Sequence, residues 1–171
     1  MHEMMDANIQ TAQCPGCGLR MPKQKISLAY SYNVSVECYE KYSELTAYTL
    51  SHTGDNFIHQ HVVDAYAAQH SGNGMKNITT AFALIGLYYA VEHGFNGKQV
   101  QRIHTLLARL KYPWDTLSLP QRSYSVTVMD VLNKPSGDKR DAMIREWMLD
   151  VWGCWSHQHE WVRSVCQELL G

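Results

Sequence analysis

A surplus of charge of either sign is what this sequence most lacks. Its 15 Lys and Arg stand against 16 Asp and Glu, a formal net charge of -1. No basic field is left to hold a phosphate backbone, so no nucleic-acid partner is expected. Long hydrophobic runs are missing as well. The longest, AFALIGLYYAV at 81–91, falls short of the roughly 20 apolar residues that a membrane helix needs. The opening MHEMMDANIQ carries neither a basic nor an apolar segment, unlike a signal peptide. A soluble cytoplasmic protein with no membrane partner is the expectation. A Gly-rich phosphate loop, a nucleophile elbow and a dinucleotide fingerprint are also absent. SGNG at 71–74 lacks the Lys and Ser/Thr of a phosphate loop. There is no internal repeat and no low-complexity segment.

Cysteine is odd in number. The 5 cysteines are Cys14, Cys17, Cys38, Cys154 and Cys166. That count favours reduced thiols over a disulfide framework. Cys14-Pro15-Gly16-Cys17-Gly18 has the spacing of half a tetrahedral zinc site, and the second Cys-x-x-Cys of a zinc ribbon is missing. A redox pair would sit at the start of a helix in a βαβ setting, whereas this pair precedes a polar loop.

What the chain does have is helical periodicity. Its 171 residues suit one domain with a real core, and hydrophobic residues make up 45%. Residues 1–13 read as loose, apart from those leading into Cys14, and 14–35 as a knuckle and loop, with a short extended piece in KISLAYSYNVSV. From Glu37, Tyr39, Tyr42, Leu45 and Tyr48 recur at three- and four-residue spacing, which predicts helix one over 36–51. SHTGDN is a turn. Helix two runs from near Phe57 to His70. Helix three starts after Asn77, an N-cap candidate, and stops at Gly94. Helix four starts after Asn96 and ends before Pro113. Residues 112–137 are irregular, with SVTVMDVL as a short helix or strand. Asp138 can cap a last helical region reaching Leu170, either one helix or two nearly collinear ones broken near Gly153. The expectation is a mainly α, single-domain bundle of five or six helices over 36–171 with an N-terminal zinc knuckle.

The turn between helices one and two makes them antiparallel neighbours. Cys38 opens the first and His70 closes the second, so both lie at the open end of the hairpin, where the knuckle enters. Cys14, Cys17, Cys38 and His70 can therefore converge as a closed Cys3His zinc site that adds folding energy. The bland alternatives are a buried apolar Cys38 and a His70 that caps its helix. A second cluster is His59, Tyr66 and His159. His59, Val63, Tyr66 and His70 share one face of helix two, and His159 fills a gap in the apolar stripe between Trp155 and Val162. His59 and His70 stand about 16 Å apart along a straight helix, too far for one metal, so only one of them is the fourth ligand. Inward histidines form metal or proton-transfer sites, or simply bond a carbonyl in the core.

CPGCG, the Cys-aromatic of ECY, HQHVVDAYAAQH, and a Trp followed by two histidines and VR near the end together resemble an uncharacterised family of small bacterial proteins, a domain of unknown function. The resemblance runs from Cys14 to about Arg163. It marks Cys14, Cys17, Cys38, His59, Asp64, Tyr66, Gln69, His70, Trp155, His159 and Arg163, and implies no known reaction. Similar proteins often carry a His on helix three where this chain has Leu84.

Three functions follow. The first is a helical zinc-binding protein with a structural site. The second is a metal-dependent enzyme with a His-lined site inside the bundle, resembling DinB-like bundles by architecture only. Their H-x-x-x-H pair is absent, because Trp161 follows His157 and Arg163 follows His159 at that spacing. The third is a protein-interaction module built on the knuckle. The composition names neither a protein partner nor a small ligand.

Overall fold

The computed structural model describes residues 9–25, 30–52, 54 and 56–171. Expectations for residues 1–8 and for part of KISLAYSYNVSV, at 26–29, lie outside the described residues. Tyr30 to Ser35 form bends and coil, with no strand. The residues leading into Cys14, 11–13, are paired. β1 (Thr11–Gln13) and β2 (Arg20–Pro22) form an antiparallel hairpin with Ala12 opposite Met21.

Helices follow in order: α1 (Val36–Ser51), α2 (His59–Gln69), α3 (Asn77–Glu92), α4 (Gly97–Ala108), α5 (Val128–Leu132), α6 (Asp138–Cys154) and α7 (His159–Leu170). The molecule is mainly helical, as its periodicity implies. No helix among the described residues is long and apolar enough to cross a membrane. The seven α-helices among the described residues exceed the expected five or six for two reasons. SVTVMDVL forms the short α5, and the last region breaks at Trp155, just past Gly153. A 3-10 turn, Ser156–Gln158, links α6 to α7. The break turns His157 Nε2 toward Ser118 O at 2.8 Å, and Gln158 donates to Ser118 Oγ at 3.0 Å.

Helix starts show where local signals win and where tertiary contacts override them. At α4 the Asn96 side chain accepts from Gln99 N at 2.9 Å and Gln99 Oε1 accepts from Asn96 N at 2.8 Å, a reciprocal cap. At α3 the expected Asn77 cap is not made. Lys76 holds that place, and Asn77 Nδ2 donates to Trp114 O and Thr116 Oγ1 at 3.2 and 2.9 Å. At α6 the capping residue is Gly137, and Asp138 lies inside the first turn, where its charge favours the helix N-terminus. α2 begins at His59 because Phe57 sits at φ +45°.

α2 is the centre of the molecule. His61, Val62 and Asp64 through Gln69 are all buried, and three alanines among them let neighbouring helices approach closely. α3 and α6 pack on it. Two buried indoles of the last helical region fix its end: Trp147 Nε1 donates to Gln69 Oε1 at 3.1 Å and Trp155 Nε1 to Ala68 O at 3.2 Å. The Tyr66 ring stacks on Tyr42 at 3.8 Å and meets Trp147 edge-on at 6.3 Å.

Candidate metal centre

The Cys-Pro-Gly-Cys stretch closes the β1–β2 hairpin. Cys14 N donates to Leu19 O at 2.8 Å and Gly18 N to Cys14 O at 2.9 Å, which puts both cysteines on one tight turn. Cys38 lies in the first turn of α1, where the Ser35 hydroxyl caps its N–H at 3.1 Å. His70 ends α2. Its Nδ1 lies 2.8 Å from Tyr66 O, so Nδ1 carries the proton and the Nε2 lone pair faces Cys38 Sγ at 3.5 Å. Such a backbone acceptor behind an imidazole is the usual support of a ligating histidine.

The ligand atoms of Cys14, Cys17, Cys38 and His70 all lie within 4.8 Å of one another, a group that could hold a metal ion. Cys17 Sγ and Cys38 Sγ are 3.8 Å apart, and all cysteines are free. Cys14, Cys38 and His70 are fully buried, and Cys17 is half-buried. Gly16 makes the approach of knuckle to helix possible. A β-carbon there would stand 2.5 Å from His70 Cδ2 and 2.6 Å from Asn33 O. Asn33 N also donates to His70 O at 2.9 Å, which laps the chain before α1 over the end of α2.

The thiols cannot all ionise unaided. Hydrogen bonds from Cys17 and then Cys38 hold the Cys14 thiol far below the usual thiol range, against the opposing effect of burial. Cys17 is pushed up to about 12, chiefly by its hydrogen bond with Cys14. Cys38 is pushed up as well, chiefly by its bond with Cys14. Ionisation of one thiol thus opposes ionisation of the other two. A cation at their centre would let the others ionise.

The residues marked for a second cluster are not gathered together. Tyr66 belongs with the cysteines, its hydroxyl 3.2 Å from Cys38 Sγ. His59 Nδ1 pairs with Thr49 Oγ1 at 2.8 Å. His159 stacks on Trp152 at 3.7 Å and its Nε2 donates to Trp152 O at 2.7 Å. Gln69 joins Trp147 to Val126 O, Arg163 pairs with Glu92, and Leu84 is fully buried. Two features escaped the sequence. One is the close approach of Gly16, signalled only by its place between the two cysteines. The other is a cavity of about 700 Å³ bordering the knuckle, with Asn33, Gln69, Arg122 and Tyr124 in its wall beside Cys14 and Cys17.

Fold and site together define a helical protein whose N-terminal hairpin is gathered into a Cys3His cluster. The chain belongs to the family of unknown function DUF5946, whose profile matches residues 12–156. No curated protein and no solved structure matches it.

Proposed function

We propose that this protein is a single helical domain stapled at its N-terminal end by one structural zinc ion, with Cys14, Cys17, Cys38 and His70 as ligands. The supporting observation is a pair of distances. With Zn–S near 2.3 Å and Zn–N near 2.0–2.1 Å, a tetrahedral site has edges of about 3.8 Å between sulfurs and about 3.6 Å between sulfur and nitrogen. Cys17 and Cys38 Sγ stand 3.8 Å apart, and Cys38 Sγ and His70 Nε2 3.5 Å apart. Three soft thiolates with one imidazole favour zinc over magnesium or calcium. Four protein ligands leave no position for a reacting water, which is the mark of a structural site. Free thiols of this kind belong in a reducing compartment such as the cytoplasm.

A second reading, a protein-interaction module, is favoured by the cavity of about 700 Å³ beside the knuckle. The zinc would then hold one wall of a recognition surface in shape. Cobalt substitution tests the structural reading. Co(II) should give a tetrahedral spectrum with thiolate charge-transfer bands that cyanide or azide does not alter. A spectrum that shifts on adding either anion means an open coordination position, and the closed site is then wrong.

A further inference from the structure

Between α2, α3 and α4 the fold leaves a carboxyl group unsatisfied. Asp64 is 3% exposed. Gln60 Nε2 donates to its Oδ1 at 3.1 Å, while Oδ2 has no partner among the described residues. His104 of α4 faces it, with Nε2 3.9 Å from Oδ1, but that nitrogen donates to Phe82 O at 2.8 Å. Burial pushes the Asp64 carboxyl well above the carboxylate range and the His104 imidazole below its own. Native folds rarely leave such an atom unpaired, because the missing hydrogen bond is expensive. Gly86 of α3 lies against Oδ2, and a β-carbon at residue 86 would collide with that oxygen.

Asp64 and His104 form a polar wall of a cavity of about 310 Å³, whose other walls include Tyr32, Val63, Phe82 and Ala83. Phe82 stacks on His104 with ring centroids 5.3 Å apart, which holds both rings in place. Largely apolar walls, aromatic rings and one buried carboxyl are the chemistry that recognises an organic cation. Its charge would supply what the surrounding helices withhold, a counter-ion for an ionised Asp64.

We propose that this cavity binds a small organic ammonium ion, its head paired with Asp64 and its apolar body set against Val63, Phe82 and Ala83. The cavity shares no residue with the cysteine cluster, so the proposal stands apart from the zinc. The specificity follows from the walls. An ammonium group without an apolar body leaves Phe82 and Ala83 uncovered, and an apolar body without the charge leaves Asp64 unpaired.

The test is a titration of 2-phenylethylamine into the full chain as purified, with 2-phenylethanol as the uncharged match. The amine is expected to raise the melting midpoint and shift the NMR signals of Phe82 and His104, while the alcohol does neither at equal concentration. Asp64→Asn is expected to bind the amine about tenfold or more weakly, since a charge-assisted hydrogen bond is lost. Val63→Phe fills the cavity from α2 with Asp64 in place and is expected to abolish binding, so it carries the test if Asp64→Asn fails to fold. Failure of the amine to saturate at millimolar concentration overturns the proposal. So does equal binding of the alcohol, or amine binding that the variants leave unchanged.

Discussion

His70 is the residue on which the metal centre turns. Its Nε2 faces Cys38, its Nδ1 is tied to Tyr66 O, and its backbone carbonyl accepts from Asn33. His70→Ala should leave purified protein with little bound metal and destabilise it by about 4 kcal/mol or more, since loss of a metal site is among the few mechanisms of large destabilisation. His61→Ala should keep its metal yet lose about 2 kcal/mol, because His61 is only 9% exposed and its removal opens a cavity. Metal analysis with denaturant titration separates the two, and equal metal loss in both variants would remove His70 from the ligand set. His61 also makes a prediction about pH. Burial, with Arg145 adding to it, lowers its imidazole from 6.5 to about 4. As pH falls from 6.5 toward 4 the unfolded chain takes up a proton that the folded chain refuses, so stability is lost across that window, by up to about 3 kcal/mol. Below it both states are protonated and the loss levels off. Urea midpoints of His61→Gln should be flatter than those of the parent across this range, and parallel profiles would refute the burial argument. At this scale the four clustered residues were legible, because Cys-x-x-Cys spacing and hairpin geometry both constrain them. The neighbours of Tyr66 were not. A helical face says which side a residue is on and not what packs there, so periodicity sets Tyr66 beside His59 and gives no sign of Cys38.

Elements were legible where their signals are local. α1 starts and stops where its apolar period does, and α4 begins at the reciprocal Asn96–Gln99 cap. They were illegible where a distant group intervenes. Asn77 gives its side chain to Trp114 and Thr116, and the stretch before α5 is held by Asp150 Oδ2, which accepts from Ser125 N and Val126 N at 2.8 and 2.9 Å. Such pairings, far apart in sequence, leave no periodic trace. The clamp between α6 and α2 gives a prediction of this kind. Trp147→Phe keeps an aromatic ring but strands Gln69 Oε1, which has the indole N–H as donor. The expected cost is about 1–3 kcal/mol with metal content unchanged. Gly16→Ala should do the reverse at the hairpin. It adds one methyl against His70 and Asn33 O and should lower zinc affinity while every ligand is retained, as competition with a chelator would show.

Across the whole molecule the cysteine cluster ties the N-terminal hairpin to the first helices, which also pack on each other through Tyr42 and Tyr66. The β1–β2 hairpin, the start of α1 and the end of α2 meet there, whereas α3, α6 and α7 are joined by an apolar core that includes Leu84, Leu87, Trp147, Val151 and Val162. Chelation should therefore speed amide exchange in residues 9–25 and around Cys38 while most far-UV helical signal persists. Global unfolding on chelation would mean that the core depends on the staple more than its packing implies. The most direct test of the central claim is X-ray absorption at the zinc edge on protein purified without chelators. The account predicts about one zinc per chain with three sulfurs near 2.3 Å and one nitrogen near 2.0–2.1 Å. No zinc, or zinc bound mainly by oxygen and nitrogen with a water in its shell, would contradict it.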